Sequence, residues 1–105
     1  MTQFVTILEL AREIILRQGG WTQGALARTK KGRPVSFMAK SAVSFCARGA
    51  FYRAIYDTEG SGGISDMSWE EEEFARLVGS DMMVPFNDSK GATAELVAAR
   101  FGMAI

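Results

Sequence analysis

Histidine is absent from this sequence, and cysteine occurs once, as Cys46. The first absence removes the commonest general base and the commonest metal ligand together. The second excludes an internal disulfide framework. No apolar run approaches the ~18 residues that a membrane-spanning helix needs. The N-terminal MTQFVTILELAREII carries acids among its apolar residues and lacks the basic lead of a secretory signal. These absences predict a cytoplasmic protein with no membrane partner. With no metal-ligand spacing in the chain, neither a metal nor a cofactor is expected.

The chain has 105 residues, of which 48% are apolar. That suits a single globular domain over 1–105, able to bury roughly 65% of its unfolded surface. Its formal charge is zero, but the charges are segregated. Residues 1–56 hold nine Lys/Arg against two Asp/Glu, a net of +7, and residues 57–105 hold three against ten, a net of −7. The ordinary consequence is two halves that pack together and neutralise each other. An anionic partner and head-to-tail self-association are the alternatives, and the expected state is a monomer or a homodimer.

Apolar periodicity predicts a mainly α fold of about four helices around a central second helix, with an α+β fold as the alternative. The first helix is expected over 3–18, where Phe4, Ile7, Leu8, Ala11, Ile14 and Ile15 make one stripe. Glu13 and Arg17 are spaced to pair on its wet side, and Gly19-Gly20 ends it. The second helix is expected over 37–56, with Met38, Ala42, Phe45, Cys46, Gly49 and Ala50 on one face. Gly49 inside it implies close approach by another backbone or a large ring, with Trp21 folding back over it. DTEGSGGISD, 57–66, reads as a linker. Ser68-Trp69-Glu70-Glu71 is a capping box that opens a third helix over 68–79. Residues 82–93 read as an extended connection with a turn at Asn87-Asp88. Thr93 caps a last helix that runs to Ala104.

Between the first two helices lies GGWTQGALARTKKGR, 19–33, with a turn at Lys31-Gly32 and an irregular or hairpin insert over 24–36. A phosphate loop needs lysine and Ser/Thr after its last glycine. Here Ala25 and Leu26 stand in those places. Arg28, Lys30, Lys31 and Arg33 offer a nucleic-acid patch, with Trp21 nearby for stacking, although a solvated loop tip is the commoner meaning of such a run. Cys46 has no histidine to activate it and reads as a buried, inert thiol. Arg53 lies near the apolar side of its helix, and either snorkels from the helix end or pairs with Asp88, Asp57 or another carboxylate of the acidic half.

The segments WTQGALAR (21–28), GRPV (32–35), FCARGAFYRA (45–54), PFNDSKGATAEL (85–96) and FGMAI (101–105) occur in the order seen in a family of small uncharacterised bacterial and phage proteins of about this length. The chain resembles that family over most of its length. The resemblance implies no reaction. It implies that Trp21, Gln23, Gly24, Arg28, Cys46, Gly49, Ala50, Asn87 and Asp88 belong to one pattern, a shared core or a shared site.

The functional expectation is a non-catalytic binding or regulatory module acting through protein contact, with a phage origin compatible with the resemblance. Its candidate binding residues are Trp21, Gln23, Arg28, Arg53, Asn87 and Asp88. Nucleic-acid binding through Arg28, Lys30, Lys31 and Arg33 is the alternative, and an enzyme of unknown type ranks third. No catalytic residue is expected.

Overall fold

The computed structural model describes residues 2–65, 72, 87–88 and 90–104. Its elements run α1 (Thr2–Leu16), β1 (Ala27–Arg28), β2 (Ser44–Phe45), α2 (Ala47–Ser65) and α3 (Ala94–Ala104). The expected helix over 68–79, apart from residue 72, and half of the connection over 82–93 lie outside the described residues.

Among the described residues the fold is therefore three helices with a small antiparallel β element, rather than four helices. The centre also moves. Both α2 and α3 pack on α1, so α1 and not the second helix is the element the others share. Its predicted stripe is what makes this possible: Phe4, Ile7, Leu8, Ala11, Ile14 and Ile15 are all buried. They meet Phe51, Ala54 and Ile55 of α2 and Val97, Ala98 and Phe101 of α3 in one core. Thr93 caps α3 as its sequence implies, its Oγ1 accepting the N–H of Leu96 at 3.2 Å.

The second helix begins ten residues later than periodicity suggests, at Ala47 instead of position 37. Backbone pairing wins over helical patterning in the intervening stretch. Strand β2 is flanked on both sides, antiparallel to β1 with Ala27 opposite Phe45, and bridged in parallel to Trp21. Phe45 N–H donates to Gly20 O and Phe45 O accepts from Thr22 N–H, while Val43 and Cys46 donate to Arg28 O and Leu26 O. A helix through 43–46 would forfeit all four bonds. Pro34 opposes Arg28 on the outer side of β1, an edge position where a missing N–H costs nothing.

At its other end α2 does not stop where the glycine-rich linker was expected. It continues to Ser65 across a kink at Gly60, whose φ of 75° and ψ of −170° suit glycine and are strained for other residues.

Gly49 is the most tightly packed of the described glycines. A Cβ built there would collide with the backbone carbonyl of Leu26. The close neighbour is thus the incoming hairpin strand and not Trp21, which packs half-buried beside the core.

Candidate functional site

A helix that starts at Ala47 follows Phe45-Cys46, and neither residue is a usual cap. Its free N–H groups must find acceptors elsewhere. Two are supplied. Cys46 Sγ accepts from Gly49 N–H at 3.3 Å. Asn87, remote in sequence and fully buried, accepts the Ala47 N–H on Oδ1 at 2.9 Å.

Asn87 is the hub of the candidate residues. Its Oδ1 also accepts the indole N–H of Trp21 at 2.6 Å. Its Nδ2 donates to Thr22 O at 3.1 Å and to Asp88 Oδ1 at 2.9 Å, and its own carbonyl accepts from Gln23 Nε2 at 2.8 Å. Every hydrogen-bonding position of the Asn87 amide is used. Asp88 Oδ1 takes Gly24 N–H in turn. Arg28 is consumed the same way, its Nε donating to Thr22 Oγ1 and its terminal nitrogens to Gly32 O and Gln23 O.

Five of the six candidate binding residues, Trp21, Gln23, Arg28, Asn87 and Asp88, are therefore brought together. What they bind is each other and the backbone, and they lock the 20–33 insert onto the start of α2. Arg53 is not with them. It sits further along α2, where Nε pairs with Asp57 at 3.0 Å and Nη1 donates to the carbonyls of Phe37 and Ala39. Its guanidinium lies 5.6 Å from the Phe45 ring centroid and 6.0 Å from that of Tyr56, within cation–π range. Asp57 rather than Asp88 is its carboxylate.

Of the basic set, Lys30, Lys31 and Arg33 are exposed on a turn closed by Gly32 N–H to Thr29 O and Thr29 N–H to Arg33 O. Arg28 does not belong to that exposed patch, because its donors are spent on the hairpin. Cys46 is buried, and that burial, ahead of all other causes, raises its thiol pKa above the ordinary thiol range. It lines a small cleft of about 150 Å³ with Gly24, Leu26 and Asp88. Among the described residues no three of Asp, Glu and Cys gather in a way that could hold a metal ion, and no helix is long and apolar enough to cross a membrane.

The open surface lies elsewhere. A cleft of about 260 Å³ is lined by Arg17, Gln18, Val43, Phe45, Arg53 and Asp57 among others. A second, of about 440 Å³, runs along Trp21, Thr22, Arg28, Thr29 and Lys30. Gln18 and Val43 line both, so the two are neighbours across one ridge. Sequence reading missed Arg17, Gln18, Val43 and Thr22. The signal for Arg17 was misassigned: no ion pair joins it to Glu13, and only its backbone N–H bonds back to Glu13 O. Val43 falls within the second helix expected over 37–56, which does not form there.

The chain belongs to a family. A family model described as "Family of unknown function (DUF6197)" matches residues 1–105. No curated protein and no solved structure gives a significant match. The ordered segments that carry the resemblance include the Trp21–Arg28 stretch, Cys46–Ala50 and Asn87–Asp88, and these are the stretches that meet at the Asn87 hub.

Proposed function

We propose that this chain is a non-catalytic binding module that acts by contact with a protein partner, through the ridge around Val43 and the two clefts beside it. The observation that carries this reading is a contrast in satisfaction. The polar groups of the Asn87 cluster are committed to one another, whereas the Val43 ridge pairs an apolar residue, 48% exposed, with side chains of Arg17 and Lys30 that make no ion pair among the described residues. An exposed apolar centre rimmed by charge is the ordinary anatomy of a contact surface. Catalysis is disfavoured by the chemistry of Cys46, a thiol that burial and the nearby Asp88 carboxylate keep protonated at neutral pH, in a chain with no histidine to activate it.

The test is affinity capture with the intact chain and with Val43→Asp. A stoichiometric protein partner recovered by the first and lost by the second, at unchanged melting temperature, supports the reading. Equal recovery by both overturns it.

Nucleic-acid binding is the second reading, favoured by the exposed cations Lys30, Lys31 and Arg33 on one ordered turn. It predicts retention on heparin that weakens steeply with salt and is lost in Lys30→Gln/Lys31→Gln.

A further inference from the structure

Resting on the protein-contact reading, we infer that the Val43 ridge receives an acidic peptide segment, with one carboxylate seated between Arg53 and Arg17 and an apolar side chain laid on Val43. The core of this site is Arg53. A guanidinium has five N–H donors. Nε spends one on Asp57, and Nη1 spends two on the carbonyls of Phe37 and Ala39. The two on Nη2 have no acceptor among the described residues, and the side chain is only 20% exposed. Arg53 is therefore a fixed cation with spare donors on the wall of an open cleft, which lowers the ordering cost of binding a carboxylate. Arg17, on the same cleft and without an ion-pair partner among the described residues, adds a second, adaptable cation.

Charge complementarity names the occupant. Among the described residues the cations of the two clefts not already bonded into the hairpin are Arg17, Lys30 and Arg53, against the one carboxylate of Asp57. That carboxylate is also why a peptide fits better than a nucleic acid strand. A phosphodiester chain carries a charge at every nucleotide and would pass Asp57, whereas a peptide can place isolated carboxylates at the arginines. Bases would also want an open aromatic face. Phe45 is buried, and Trp21 is half-buried with its N–H held by Asn87. Strand addition is unavailable as well, since β2 already has a backbone neighbour on each side. Recognition must run through side chains.

The experiment uses the full chain and three probes: a fluorescein-labelled peptide of alternating glutamate and leucine, its glutamine-for-glutamate counterpart, and a labelled 20-nucleotide oligo-dT. Saturable binding of the glutamate peptide alone is expected, weakened about tenfold by Arg17→Glu and tightened by Asp57→Asn, which frees Arg53. On titration the Arg53 Nε–H and Val43 amide NMR signals should shift in the wild-type chain, a readout that does not depend on any variant folding. Equal binding of the glutamine peptide overturns the acidic specificity and leaves the protein-contact reading standing. Binding of the oligonucleotide without the peptide overturns both. Binding of neither peptide, or peptide binding without shifts at Arg53 and Val43, overturns the inference; the protein-contact reading then stands or falls on the Val43→Asp capture.

Discussion

The two ends of β2 face different worlds. Towards Cys46 the chain runs into the Asn87 cluster, where both donors and both acceptor positions of the Asn87 amide are taken and the backbone of Leu26 lies on Gly49. Towards Val43 it runs onto an open ridge, with a half-exposed apolar side chain and cations that have spare donors. Each region holds residues that a reader of sequence marks as functional, Trp21, Asn87 and Asp88 in the first and Lys30 and Arg53 in the second. Only the matching of donors to acceptors separates them. A cluster whose hydrogen bonds close on themselves fixes the fold, and a surface whose donors remain open is the one left to bind. Substitutions on the first should therefore register as stability, and those on the second as affinity.

The sharpest way to break that contrast is Asn87→Ala. It strands the Ala47 N–H and the Trp21 indole N–H together, the first of them buried. At about 1–3 kcal/mol for each orphaned donor, the expected loss is about 4 kcal/mol. Urea denaturation reads it directly. A loss below about 1 kcal/mol would mean that the cluster is dispensable to the fold and free to serve as a site after all.

Gly49→Ala should come next, at about 3 kcal/mol lost. Helix propensity alone argues the other way, since alanine in place of an interior glycine gains about 1 kcal/mol. The new Cβ meets the Leu26 carbonyl, a backbone atom that cannot swing aside, so overpacking should win. The sign of the change in the denaturation midpoint decides between the two.

How much of this was legible beforehand follows from which physics each part obeys. The α1 stripe, the Thr93 cap and the close approach at Gly49 are local signals, written in periodicity, a hydroxyl and a missing side chain. They appear where expected. Residues 37–46 were misread because Ala42, Phe45 and Cys46 satisfy helical spacing equally well. The partners that hold them extended, Gly20, Thr22, Leu26 and Arg28, are declared by no local pattern. The same holds for the site. Trp21, Gln23, Asn87 and Asp88 were legible as a set, but whether they bind a ligand or one another depends on donor counts that only coordinates supply. For Arg53 the sequence left snorkelling and several carboxylate partners open, and Asp57, one turn along, is the partner the fold supplies.

A smaller effect should appear at alkaline pH. Burial raises the Cys46 pKa in the folded chain, so the folded state holds its proton more tightly than the unfolded state does. Below the unfolded thiol pKa of about 8.5 the contribution is fully present. As pH rises beyond that value the unfolded chain ionises first, and stability falls towards the folded pKa. Cys46→Ala should flatten this alkaline slope, whatever it does to absolute stability. Denaturation midpoints between pH 7 and pH 10 test the sign. Native Cys46 should also resist iodoacetamide until urea is added.

The smallest expected effect belongs to the open side, and it completes the contrast. Arg17→Gln with Lys31→Gln removes two exposed cations, neither of which has an ion-pair partner among the described residues. No hydrogen-bond network is lost and no buried group is orphaned. The melting temperature should shift by no more than about 0.5 kcal/mol would give. At low salt the sign should be a small loss, because two cations are taken from a chain whose formal charge is zero, leaving it at −2. Raising the salt should erase it, because the Debye length shrinks from ~10 Å at 0.1 M to ~3 Å at 1 M. A loss above 1 kcal/mol in this pair would instead mean that their charge is spent on holding the chain together, and the open face would then be part of the closed one.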